Sequence, residues 1–241
     1  LKNSGGVMIA ANLENVKKRV RDACLRAGRR PEEVRIVAVS KAFPVEGIRE
    51  AVGAGQADFG ENYAQEFRSK AEAMKGRDVR WHFIGHLQSN KVKYVIDDLY
   101  LLHSLDRMSL ADELQKRAAS VDRTVDALIE VHTTDEATKS GILPDDVLNF
   151  ARALSAHDRI RVQGLMTMGP FSDEPERARP CFRRVRELQA VLRREGPDHM
   201  SWNELSMGMS GDFPVAIEEG ATIVRIGTAI FGSRTATTEP R

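Results

Sequence analysis

Cysteine is scarce in this chain: two residues in 241, Cys24 and Cys181, far apart and in no metal-like spacing. That excludes a disulfide framework and points to a reducing compartment, the cytoplasm. An excess of either charge is missing too. Lys and Arg number 36 against 35 Asp and Glu, a net charge of +1, so no global field recruits nucleic acid or an anionic membrane surface. No run of about eighteen apolar residues is present to span a bilayer, and Leu1 to Ala11 lacks the basic start and apolar block of a signal peptide. The six histidines, His82, His86, His103, His132, His157 and His199, form no HExxH or paired Cys/His spacing, so no metal is expected. Internal repeats and Pro/Gly/Ser-rich linkers are also lacking. One domain over residues 8–234 is therefore expected, with 1–7 and 235–241 as loose ends.

What is there is a regular alternation. Apolar residues at Leu13, Val16, Val20, Ala23, Cys24 and Ala27 recur at helical spacing, and Gly28 supplies a stop. Strand-like runs follow at Arg35–Lys41, Ala57–Glu61, Arg80–Gly85, Leu101–Leu105, Val125–Val131, Arg161–Gly169, Trp202–Met209 and Thr222–Gly232. Between them lie helical patterns near Val45–Ala54, Asn62–Lys75, Ser89–Ile96, Arg107–Ala119, Pro144–Ser155, Glu174–Glu195 and Gly211–Glu219. Eight β-then-α units without a hairpin signal predict a closed (β/α)₈ TIM barrel with an extra N-terminal helix, an open doubly wound sheet being the alternative.

In such a barrel, chemistry sits on the loops at the C-terminal ends of the strands, with phosphate sites common after strands seven and eight. Lys41 closes the first strand on the face of Val37 and Val39, where loss of water lowers an amine's pKa and lets it attack an aldehyde. Ser206-Met207-Gly208-Met209-Ser210-Gly211-Asp212 opens into a helix, and Val224-Arg225-Ile226-Gly227-Thr228 offers a glycine and a hydroxyl. Both suit an anion. The bland readings are that Ser210 caps its helix and that Arg225 makes a barrel-interior ion pair. Asn62 follows the second strand and is either a polar contact at the mouth or a helix cap. Lys139 reads as a solvated loop lysine. A phosphate cradle facing a lysine calls for a ligand with both a phosphate and an aldehyde: pyridoxal 5′-phosphate (PLP), or a sugar phosphate attacked by a lysine aldolase.

Several of these pieces, taken in order, resemble one family. Val37-Ala38-Val39-Ser40-Lys41, Phe59-Gly60-Glu61-Asn62-Tyr63, His82 to Lys91, Lys139-Ser140-Gly141, Gly164-Leu165-Met166, Leu205 to Ser210 and Val224 to Gly232 are similar to the YggS/PROSC-type PLP homeostasis proteins, whose fold is that of the alanine racemase N-terminal domain. The resemblance implies PLP held as a Schiff base on Lys41, a phosphate held by Ser206, Ser210, Gly227 and Thr228, Arg225 facing the pyridine nitrogen, and Asn62 and Met207 lining the pocket. It implies a carrier that buffers the cofactor and delivers it to PLP-dependent apo-enzymes, without established turnover, and monomer is the simplest expectation. A cation beside the ring nitrogen disfavours its protonation, which weakens carbanion chemistry. The competing expectation is a PLP-dependent amino-acid racemase, for which Tyr63, Tyr94 and Tyr100 offer no assignable second base and the chain, ending nine residues after Gly232, leaves no room for a further domain. The aldolase is the third.

Overall fold

The β-branched and small apolar residues of Arg35–Val39 form β1, and seven segments of similar make-up follow: β2 (Asp58–Glu61), β3 (Arg80–Phe83), β4 (Leu99–Leu105), β5 (Val125–Glu130), β6 (Ile160–Met166), β7 (Glu204–Ser206) and β8 (Ile223–Ile226). The structure is a computed structural model that describes residues 4–134 and 140–232. Each strand runs parallel to the next, and β8 returns to β1 with Arg225 opposite Val37, so the sheet closes into the expected barrel. Lys139 and the chain ends 1–3 and 233–241 lie outside the described residues.

Around the barrel stand α1 (Ser4–Arg26), α2 (Val45–Gly53), α3 (Ala64–Ala73), α4 (Met108–Ser120), α5 (Val147–Leu154), α6 (Arg179–Glu195), α7 (Phe213–Glu218) and α8 (Thr228–Phe231). The last is a single turn. The amphipathic α1 buries Leu13, Val16, Val20, Ala23 and Cys24 and packs beside α2, α7 and α8, taking the outer-ring position that a longer eighth helix would fill. Asn12 Nδ2 donates to the Ile230 carbonyl at 2.9 Å and ties the two together.

Alternation along the strands sorts side chains into two shells. Ala38, Phe59, Trp81, Leu102, Ile129, Leu165 and Val224 face outward into a continuous apolar layer beneath the helices. Full burial of such side chains contributes about 1.5–3 kcal/mol each, so most of the stability resides in that layer. Inside, Val37, Leu101, Leu128, Met166 and Ile223 form an apolar plug, with Met168 packed against it. Asp58, His82, His103, Glu130, Ser206 and Arg225 are buried and polar on the same inner side. At the β6–β7 seam the strands come so close that a Cβ on Gly164 (φ 153) would overlap the Glu204 carbonyl oxygen.

Strand ends are where the sequence pattern and the backbone part company. β1 stops at Val39 rather than Lys41, β3 at Phe83 rather than Gly85, β6 at Met166 and β7 at Ser206. Several residues beyond, Ile84, Met168 and Met209 among them, stay apolar where they line a cavity, and a short apolar run does not reveal where ladder hydrogen bonding stops. Residues 228–231, expected as strand, form α8 after Gly227. The expected helix Glu174–Glu195 is divided: a 3₁₀ turn over Pro175–Ala178 precedes α6, since Pro180 lacks an N–H and is tolerated only in a first turn. Ser89–Tyr94 is 3₁₀ rather than α-helical.

Candidate functional site

At the C-terminal mouth of the barrel lies a cavity of about 380 Å³. That is inside the range of roughly 300–1,000 Å³ usual for small-molecule sites. Lys41, Asn62, Ser210, Arg225, Gly227 and Thr228, from five different loops and strands, all line it.

Lys41 is reached through a turn rather than along the strand. Ala42 holds φ 62, a left-handed conformation costly for a residue with a Cβ, so something must hold it there. The holding groups are an ion cluster beneath the turn. Lys70 on α3, its side chain 8% exposed, donates to the Ser40 carbonyl at 2.7 Å, to Glu61 Oε1 at 2.8 Å and to Glu66 Oε1 at 2.6 Å. Glu66 in turn accepts from the Ala42 N–H at 2.8 Å, and Ser40 Oγ donates to Glu61 Oε1 at 2.6 Å. Both backbone neighbours of Lys41 are thus tied to α3. Burial pushes the Glu61 carboxyl up even though Lys70 and Ser40 donate to it. Phe43 stacks on Phe231 of α8 at 5.1 Å between ring centroids, joining the lysine turn to the loop that carries Gly227 and Thr228.

Facing the lysine is the β7–α7 loop. Gly208 (φ 92) leaves no room for a Cβ beside Ala216, and its carbonyl accepts from the Arg225 N–H at 3.0 Å. Asp212, not Ser210, occupies the N-cap position of α7 and accepts from the Met209 N–H at 2.6 Å. Ser210 Oγ instead accepts from the Ala229 N–H at 3.4 Å, bridging this loop to the start of α8. Gly227 and Gly211 are not demanded by internal packing: a Cβ on Gly227 would meet only Val39 at ordinary contact distance, and one on Gly211 would meet nothing. The space they leave belongs to the cavity.

Arg225 is 4% exposed and forms no ion pair among the described residues. It donates to Ser206 Oγ at 2.6 Å and to the Thr167 carbonyl at 2.9 Å. Burial lowers its pKa to about 10, opposed by Asp212 and Glu130, and it stays cationic at neutral pH. Glu130, on the inner face at the end of β5, is pushed up to about 7 by burial and by Asp106. Asn62 precedes α3 without capping it, and its Oδ1 is buried with no partner. Gly85 permits its placement, because a Cβ there would collide with the Asn62 backbone.

Two expected ligands stand elsewhere. The Ser206 hydroxyl is wholly buried and engaged with Arg225 and His103, and the Met207 side chain packs in the outer apolar layer. Neither side chain lines the cavity, since alternation along β7 turns one into the barrel interior and the other toward the helices. The structure adds Val39, Ile84, Met168, Phe171 and Asp212 to the lining. Val39 and Asp212 belong to stretches the sequence already singled out; Ile84, Met168 and Phe171 follow the ends of β3 and β6, and that position is their only signal. Phe171 is 94% exposed at the lip.

An orphaned polar atom, two glycines with open space, a cation in the wall and a lysine define a class: a (β/α)₈ barrel built to hold a small anionic ligand against an amine. The profile of the family described as alanine racemase, N-terminal domain, matches residues 9–235, and the chain belongs to that family. A relative from Aquifex aeolicus named pyridoxal phosphate homeostasis protein is 48% identical over 222 residues, 92% of this chain and 96% of that one. The protein of the same name from Pseudomonas aeruginosa is 39% identical, over 94% of this chain and 96% of its own length. Among solved structures, PipY of Synechococcus elongatus with PLP bound is 34% identical with a TM-score of 0.80, covering 93% of this chain and 100% of PipY. Alanine racemase of Corynebacterium glutamicum, 19% identical with a TM-score of 0.71, covers 97% of this chain and 64% of its own and shares the fold.

Proposed function

We propose that this protein binds PLP, holds it through a Schiff base on Lys41, and serves as a carrier that buffers the cofactor and delivers it to PLP-dependent apo-enzymes. The observation that carries the reading is the convergence of Lys41, Arg225, Ser210, Gly227 and Thr228 on one cavity in a chain so similar to relatives named for PLP homeostasis. When bound, the cofactor supplies an aldehyde for the amine and a phosphate for the loops. Ser210, Thr228 and the backbone at Gly227 would hold the phosphate and Asn62 would supply a polar contact, while Lys70 with Glu66 keeps the lysine turn aimed inward.

Arg225 favours storage over turnover. A permanent cation beside the ring nitrogen opposes its protonation and leaves a poor electron sink. The expected compartment is the cytoplasm, where Cys24 and Cys181 remain free thiols, and the expected state is a monomer, since a closed barrel leaves no strand edge to pair.

The purified protein is expected to be yellow, to lose that colour on borohydride reduction, and to carry the reduced adduct on Lys41. Mixing with a PLP-free apo-enzyme should transfer the cofactor. Colourless protein that takes up no added PLP overturns the reading. Loss of α-deuterium from L- or D-alanine, faster than with free PLP and abolished by Lys41→Ala, would replace it with the racemase.

A further inference from the structure

Five buried polar side chains from five strands are joined end to end across the inside of the barrel. His82 Nε2 lies 2.9 Å from Asp58 Oδ1, His82 Nδ1 lies 2.9 Å from His103 Nε2, and His103 Nδ1 lies 2.9 Å from Ser206 Oγ. Arg225 Nη1 closes the series, donating to the same hydroxyl at 2.6 Å. His82, His103 and Ser206 have no exposed surface.

The protons in this series have one consistent order. A guanidinium only donates and a carboxylate only accepts, whereas neutral imidazole and hydroxyl groups do one of each. Asp58 is firmly ionised: burial alone would raise its carboxyl, but Arg80 at 2.8 and 2.6 Å and His82 hold it at about 2. His82 must therefore carry its proton on Nε2 and accept at Nδ1. His103 must then donate from Nε2 and accept at Nδ1, so Ser206 donates to His103 and turns its lone pairs to Arg225. Burial keeps both rings neutral, with Arg35 adding repulsion against a second charge. In this order no donor faces a donor.

We propose that Asp58, His82 and His103 are positioning residues for Arg225. They commit the Ser206 proton to His103 and so keep it from the space between the hydroxyl and the guanidinium, which stands at the cavity wall with the Thr167 carbonyl taking a second N–H. A carboxylate at the far end of the barrel thereby sets the proton order next to the cation in the cavity wall. The Ser206 proton is committed to His103 and is not offered to a phosphate. The inference rests on the reading that the cavity holds PLP with Arg225 near its ring.

The test uses protein labelled with ¹⁵N-histidine, with and without PLP. Nitrogen NMR should find His82 and His103 neutral and protonated on Nε2. Asp58→Asn allows an amide N–H to face His82 and reverse the order, so both rings should move to the Nδ1–H form. In the loaded protein the pH midpoint of the cofactor's visible band should shift by about half a unit or more, and cofactor release should change by roughly fivefold, the lower end of ordinary coupling between sites. His103→Gln, which can both donate and accept, should stay nearer wild type than His103→Leu. Charged or Nδ1–H rings in the wild type overturn the proposal. So does a folded Asp58→Asn protein with the wild-type midpoint and release rate when Arg225→Lys alters both, because the series is then packing alone. If the histidines read as expected but no PLP is taken up, the carrier reading is what has failed, and the coupling to a cofactor falls with it.

Discussion

The two ends of the barrel are finished differently. At the foot, where strands begin, charges find partners within the chain: Arg80 with Asp58 at 2.6 Å, Arg161 with Asp126 at 2.5 Å, and Arg35 with Glu204 at 3.5 Å. At the mouth, Asn62 Oδ1, Glu61 Oε2 and Thr134 Oγ1 are buried without a hydrogen bond, Ala42 is strained, and Glu130 resists ionisation. Buried polar groups are normally satisfied; the foot has its own exceptions in His157 Nδ1 and Trp202 Nε1, and Asp122 there holds φ 47, but at the mouth Asn62 lines a cavity large enough to admit a partner. One end closes the fold; the other is kept ready for a guest.

That contrast can be broken experimentally, starting with the largest effect. Lys41→Ala should abolish borohydride-trapped PLP completely while leaving the melting temperature close to wild type. A fall as large as a core truncation would mean that the lysine supports the fold. Lys70→Met should come next, because it leaves the 0%-exposed Glu61 carboxylate and its neighbour Glu66 without their cation. A loss of about 3 kcal/mol in urea unfolding is expected, together with weaker PLP retention.

Two carboxyls should then show opposite pH signatures. Glu130 titrates near 7 in the fold against 4.5 unfolded, so the native state holds its proton longer and pays an ionisation penalty that grows as pH rises from 4.5 to 7. Glu130→Gln should therefore gain on wild type across that window by roughly 2–3 kcal/mol, and a constant difference between pH 5 and 8 would remove the argument. Asp58 is the reverse, at about 2 in the fold against 3.8. Its contribution of about 2 kcal/mol is present above pH 4 and lost as pH falls toward 2, so Asp58→Asn should cost stability at pH 7 and little at pH 2. The smallest effect belongs to Ala42→Gly, which releases the left-handed strain and should stabilise by up to about 1 kcal/mol in the same assay.

How far the sequence reached follows the same division. β-branched runs such as Ile36–Val39 and the regular helical spacing between them made eight units and a closed barrel legible, because the outer layer is read by periodicity alone. Lys41, Arg225, Ser210, Gly227 and Thr228 were legible as mouth residues because each stands at a strand's C-terminal end. Alternation puts Ser206 and Arg225 on the same inner face; that the Ser206 hydroxyl is taken up by His103 and by Arg225 itself depends on pairings across the barrel that the sequence does not display. Lys70 was invisible: on α3 it has the look of a solvated helix lysine, and its burial comes from contacts with Ser40, thirty residues back, and with Glu61 at the end of β2. The histidine series was hidden for a similar reason. His82 and His103 meet only because the β3–β4 register shifts after Trp81, which no local pattern encodes.

Gly164 carries a consequence beyond its own turn of chain. A closed hoop has no loose edge to absorb a wedge, so a methyl group inserted between β6 and β7 would have to be accommodated around the whole circumference. The first parts to be displaced would be Ser206 at the end of that seam and, through it, the guanidinium it steadies. A residue that touches no ligand thereby sets the tolerance to which the ligand's cradle is machined.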